Sequence, residues 1–175
     1  MEIFTPLTAD KIQSLKVGDK VYLTGVIYTA RDQAHKRIIE TIERGETPPF
    51  PLENNIIFYV GPTPPKPNEV IGSAGPTTSY RMDSYTPYLL ERGLKGMVGK
   101  GERSQEVIES IIKNKAIYFV AIGGAGALLS ASIEQAELLA YPDLGPEAVY
   151  KLTVKRFPCY VGIDSQGNNI FALNY

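Results

Sequence analysis

The sequence holds one cysteine, Cys159, and one histidine, His35, in 175 residues. A single thiol excludes an internal disulfide and cannot hold an iron–sulfur cluster, which takes several thiolates. A single imidazole excludes a multi-histidine metal site on this chain, and neither CxxC nor HExxH occurs. Net charge is equally scarce: 18 Lys+Arg against 19 Asp+Glu leave −1. A chain so balanced has no general electrostatic footprint for nucleic acid or an anionic membrane, so any anion site must be local. No apolar run approaches the length of a bilayer span. The opening MEIFTPLTADKIQSL has acids near its start and lacks the apolar stretch of a signal peptide. The cytoplasm is the compartment expected.

What is present is ordinary for a globular protein: 43% hydrophobic and 21% charged residues. The length suits a single domain over residues 1–175 with a substantial core. A short helical turn is predicted at 8–15, with Thr8 as N-cap. Val21, Leu23 and Ile27 alternate on a β-rich background, which predicts one long strand or a strand pair after the Gly18-Asp19 turn. The period then changes. Ala34, Ile38, Ile39 and Ile42 fall at helical spacing, and Gly45 sits where a C-terminal cap belongs. Arg31 and Asp32 therefore mark a strand-to-helix junction, the place where α/β proteins tend to bind ligands.

IIFYVGP reads as a buried strand, followed by a long loop with four further prolines in TPPKPNEVIGSAGP. Long stiffened loops inside compact domains are usually functional or strained. SYTPYLLERG predicts a short helix closed by Gly93, LKGMVGKG a strand, and RSQEVIESIIKNK an amphipathic helix capped by Ser104. AIYFVAIGGAGALLSASI predicts a buried strand, a glycine-rich loop and a small-residue helix. The last segment reads as β, with DSQGNN as a hairpin turn between CYVGI and NIFAL. The order predicts an α/β domain with a mixed sheet, with room for a second β layer.

Three segments place cations beside strand ends. In GPTTSYRMDSY, Thr77, Thr78 and Ser79 can cap a helix beginning near Tyr80, and Arg81 can fork onto a carboxylate. The plain structural alternative pairs Arg81 with Asp83 or Glu91. Arg31 has its own plain alternative, a surface pair with Asp32, and His35 lies one helical turn on along the same face. Lys100 stands between two glycines in GMVGKGERS, which lacks the GxxxxGK[ST] spacing of a Walker A loop. GGAGAL is out of register with G-x-G-x-x-G, so close helix–sheet packing is its expected role. If Arg31, Arg81 and Lys100 converge, a small dianion is their natural ligand, with a threonine hydroxyl beside it for proton transfer.

YTARDQAHKRI, GSAGPTTSYRMDSYTPYLLERGLKGMVGKGERS, AIGGAGALL and RFPCYVGIDSQGNNIF, in that order, resemble the β subunit of class I iron–sulfur fumarate hydratases. The same domain forms the C-terminal part of the single-chain enzymes, and the L(+)-tartrate dehydratase β subunit is a close relative. The resemblance implies a swivelling β/β/α three-layer domain and reversible hydration of fumarate to (S)-malate. It implies a 4Fe–4S cluster held by a partner α subunit, with no metal ligand on this chain, in an αβ assembly that dimerises. By the matching motifs, Thr77 resembles the catalytic base, and Arg31, Arg81 and Lys100 resemble the substrate-binding cations. His35 and Asp83 fall in matching elements as supporting residues. Tyr80 departs from the pattern, since many relatives carry glycine before the arginine. A ring there either narrows the pocket or packs outward.

The same machinery acting on L(+)-tartrate is the nearest alternative. A dicarboxylate-binding domain without catalysis is a second, and a stand-alone nucleotide-binding enzyme a distant third, because neither glycine motif fits.

Overall fold

A computed structural model describes residues 1–121 and 126–172. The strands are β1 (Glu2–Phe4), β2 (Lys20–Thr29), β3 (Ile56–Phe58), β4 (Gly96–Gly99), β5 (Ile117–Ala121), β6 (Ile133–Ala140) and β7 (Val149–Ile163). The α-helices are α1 (Ala9–Ser14), α2 (Asp32–Glu43), α3 (Thr86–Glu91), α4 (Gln105–Asn114) and α5 (Gly126–Ala131). Strands β1 to β5 run parallel in order, and β7 returns antiparallel to β5, β6 and β2. The β2–β7 pairing closes β2, β3, β4, β5 and β7 into a small barrel, leaving β1 and β6 as side strands. The fold is α/β with a mixed seven-stranded sheet.

Alternation along the strands divides the apolar residues between two cores. Leu23, Ile27, Ile56, Phe58, Val98, Phe119, Leu152 and Val161 fill the barrel. Tyr28, Ile57, Tyr59, Met97 and Tyr118 face outward and meet Ala34 and Ile38 of α2, Leu89 and Leu90 of α3, and Val107 and Ile111 of α4. The closed sheet and its helical cover make the β/β/α layering.

β7 shows how closure is achieved. Its register against β2 slips between Leu23 and Gly25, and Arg156 takes a positive φ of 53° there. The one extra residue on β7 reverses the inward parity, from Leu152 and Val154 to Phe157, Cys159 and Val161. Such bulges sharpen strand twist. Gly25 has a φ of 128°, and a Cβ on it would meet Thr5 Oγ1 at 2.2 Å.

Most predicted elements are found close to their expected positions. Ser104 caps α4 by accepting from the Val107 amide at 3.3 Å. Gly45 and Gly93 end α2 and α3 at positive φ. Three readings are corrected. The final segment is no hairpin: β7 is one 15-residue strand, NIFAL turns into a 3-10 helix at Ile170–Ala172, and a single bridge joins Ile163 to Asn169. The helix expected near Tyr80 is one 3-10 turn, Ser79–Met82, and the Thr78 side chain makes no cap bond to it. Thr8 precedes α1 without a side-chain cap bond either. β6 went unread, because IEQAELLA is rich in the helix formers Ala, Glu, Gln and Leu; it is a strand through its pairing with β7. Gly123 and Gly124 of the glycine-rich stretch lie outside the described residues.

Candidate active site

Adjacent parallel strands end side by side, and the chain puts its candidate groups there. β2 leads through Ala30 to Arg31 and Asp32, where α2 begins. β3 continues through Tyr59, whose amide bonds the Val98 carbonyl at 2.8 Å. β4 leads directly to Lys100. The long loop after β3 returns to this edge and inserts between the ends of β3 and β4. Thr77 donates its amide to Tyr59 O at 2.7 Å, and Ser79 donates to Lys100 O at 2.9 Å. A single parallel bridge pairs Thr78 with Lys100. Gly99 makes this entry possible, because a Cβ there would meet Ser79 Oγ at 2.0 Å and the Tyr59 ring at 2.8 Å.

Arg31 lies across the turn after β3. A Cβ on Gly61 would stand 3.1 Å from both its Cδ and Nη1. Neither plain pairing expected for Arg81 occurs. Arg81 donates instead from Nε to Oδ2 of Asp32 at 3.2 Å. Arg31 Nε stands 3.9 Å from Oδ1 of the same carboxylate, and both of those atoms are buried without a hydrogen bond. Asp32 thus faces two arginines from the first turn of α2, where negative charge also suits the helix dipole. Lys100 is exposed and Thr77 half-buried. Tyr80 is 65% exposed, so its ring packs outward from this chain.

His35 and Asp83 lie beneath this edge. His35 is fully buried between the rings of Tyr59 and Tyr85, with centroids 5.5 and 5.7 Å away. Its Nδ1 donates to the Arg31 carbonyl at 2.8 Å, which leaves Nε2 as the bare nitrogen. Burial, helped by the Arg103 charge, pushes its pKa down to about 4 against the pull of that carbonyl. It is a neutral ring at physiological pH. Asp83 accepts from Arg103 Nε and from the Ser104 amide, both at 2.7 Å.

Arg103 went unremarked in the sequence, where GERS reads as a charged turn before a helix cap. Its side chain is 0% exposed. Its Nη2 donates to Tyr59 Oη at 3.1 Å and Thr86 Oγ1 at 3.0 Å. The rings of Tyr59 and Tyr118 flank it at 5.2 and 4.8 Å. Tyr118 Oη donates to Gly101 O and meets Ser79 Oγ, both at 2.7 Å. No local signal links Arg103 to Asp83, twenty positions earlier.

The edge therefore offers two guanidinium groups, an ammonium and a small hydroxyl, which can bind a dianion and move a proton beside it. A metal cluster does not fit these residues. Among the described residues no three His, Cys, Asp or Glu side chains gather, and Cys159 is sealed in the barrel with its thiol pushed up by burial. Among the described residues no helix is long and apolar enough to cross a membrane.

Known proteins resemble the chain along nearly its whole length. A protein of Methanocaldococcus jannaschii, named as a candidate L(+)-tartrate dehydratase subunit beta, is 42% identical over 96% of this chain and 89% of its own. The L(+)-tartrate dehydratase subunit beta of Escherichia coli is 38% identical over 97% of this chain and 86% of its own. The anaerobic class I fumarate hydratase of Escherichia coli is 38% identical over 92% of this chain, which spans only 30% of that enzyme. The family model described as the fumarase C-terminus matches residues 1–174, and the chain belongs to that family.

Proposed function

We propose that this chain is the β subunit of a hydro-lyase that interconverts fumarate and (S)-malate. It would act with an α subunit that carries the 4Fe–4S cluster, in a larger αβ assembly. The observation that carries this reading is the meeting of Arg31, Arg81, Lys100 and Thr77 at one strand edge. Two of these residues are joined through Asp32, and two through the 77–79 segment. The names of the β-subunit relatives and of the fumarate hydratase support it.

In this reading Arg31 and Arg81 each fork onto a substrate carboxylate, and Lys100 adds a point charge. Removing the proton next to a carboxylate shifts negative charge onto that carboxylate. Fixed cations stabilise this charge best where water is excluded, and one such contact is typically worth about 10²–10³ in rate. Thr77 Oγ1 is the atom assigned to the proton. A threonine hydroxyl is a weak base alone and needs an activating neighbour, which we assign to an acid of the partner chain. His35, held neutral, fixes the Arg31 carbonyl at the start of α2.

The relatives of matching length are named for L(+)-tartrate, which favours tartrate as the second substrate to test. The experiment is anaerobic co-expression with a cysteine-bearing partner, cluster reconstitution, and parallel assays of malate and L(+)-tartrate dehydration. Faster malate turnover is expected. Faster tartrate turnover keeps the machinery and changes the substrate. Turnover of neither, with the cluster intact, overturns the hydro-lyase reading in favour of a binding domain.

A further inference from the structure

Arg103 is the most deeply buried cation described, and it lies below the edge where the candidate site is assembled. Burying a guanidinium is costly unless it is paired and hydrogen-bonded. Here Asp83 supplies the charge, Tyr59 and Thr86 supply acceptors, and two aromatic faces enclose it. Its partners come from the segments that carry the site. Asp83 follows the 3-10 turn holding Arg81. Tyr59 continues β3 and accepts the Thr77 amide. Tyr118 on β5 bonds both Ser79 and Gly101, the neighbours of Thr78 and Lys100. Arg103 itself follows Lys100 by three residues.

Among the described residues, the other ties between the two loops are the Ser79–Lys100 hydrogen bond, the Thr78–Lys100 bridge and the bond from the Ser104 amide to Asp83. We propose that Arg103 is a positioning residue: with Asp83, Tyr59 and Tyr118 it forms a buried clamp that holds the Thr77–Arg81 loop in register with the Lys100 loop. The proposal rests on the hydro-lyase reading for its effect on rate. Its effect on loop geometry can be read without that reading. The clamp makes no contact with substrate. It acts by fixing the spacing between a proton-transferring hydroxyl and an ammonium, and a misplacement of ~1 Å can cost about 10²-fold in rate.

The test uses Arg103→Lys, which keeps the charge and loses the fork, and Tyr118→Phe, which removes only the hydroxyl joining Ser79 to Gly101. In the reconstituted complex both variants are expected to lower kcat by about ten- to a hundredfold. KM is expected to stay within about threefold and the cluster content to be unchanged. In the full-length chain by itself, amide hydrogen exchange is expected to quicken at Thr77 and Ser79, with protection kept in β7. A kcat within about threefold of wild type in both variants, or unchanged exchange at Ser79, overturns the clamp. Uniform loss of protection, β7 included, also overturns it, because Arg103 would then be a general core residue. If the wild-type complex turns over neither substrate, the hydro-lyase reading fails, and the exchange result at Ser79 decides the clamp alone.

Discussion

Arg81 Nε donates to Oδ2 of Asp32 across 3.2 Å, and the two residues stand 49 positions apart in the chain. With Nε engaged, the two terminal nitrogens are what Arg81 has left to offer a ligand carboxylate, and they form a ready fork. The same aspartate stands 3.9 Å from Arg31 Nε. One carboxylate thereby aims two arginines at one edge.

Asp32→Asn should therefore loosen substrate binding without unfolding the protein. A charge-assisted hydrogen bond contributes about 1.5 kcal/mol or more, so KM should rise about tenfold. The Arg81 side chain is 45% exposed, so the stability change should stay below ~1 kcal/mol. Steady-state kinetics of the complex, paired with a thermal melt, check this. An unchanged KM would show that Asp32 orients neither arginine.

Gly61→Ala tests the seat of Arg31. The added methyl would stand 3.1 Å from Arg31 Cδ and Nη1, and 3.4 Å from the Pro146 carbonyl. The arginine side chain is the flexible partner and should move. We expect kcat/KM to fall about tenfold, the size of a loss near 1.4 kcal/mol, with a nearly unchanged melting temperature. A variant as active as wild type would remove Arg31 from the site.

His35 makes stability depend on pH with a definite sign. Its pKa is lowered from 6.5 to about 4 in the fold, first by burial. Between those values the unfolded chain takes up a proton that the folded chain refuses, so stability falls as pH falls through this window. The full effect is on the order of 3 kcal/mol. Urea unfolding at about pH 7.5 and about pH 5, repeated on His35→Gln, isolates it. Equal pH slopes in both proteins would contradict the assignment.

Cys159 should be inert. It is fully buried inside the barrel, and burial pushes its thiol well above the usual range. The native chain should not react with a thiol reagent and should react once unfolded. Cys159→Ala should cost about 1 kcal/mol and leave the iron content of the assembled complex unchanged. Loss of iron in that variant would place a cluster ligand on this chain.

Several features were legible because their causes are local. The strand-to-helix junction at Arg31 follows from a change of period. The cap at Ser104 and the ends at Gly45 and Gly93 follow from residue chemistry within one turn. The motif order carried the family resemblance. The failures were non-local. NIFAL has strand-like composition but only one bridge to hold it there. β6 has the composition of an exposed helix, and an antiparallel neighbour makes it a strand. Thr78 was expected to cap a helix by side chain, yet its backbone bridges to Lys100.

The sequence by itself determined which residue types stand at the strand ends, and it limited the chain to one cysteine, too few thiolates for an iron–sulfur cluster. Pairing was decided by the tertiary structure. Asp32 could have held Arg31 alone, and Asp83 could have held Arg81. The fold gives Asp32 to Arg81 and Asp83 to Arg103. The reason is physical: a buried guanidinium needs the nearest carboxylate inside the core, while a partly exposed one is left to the carboxylate at the edge.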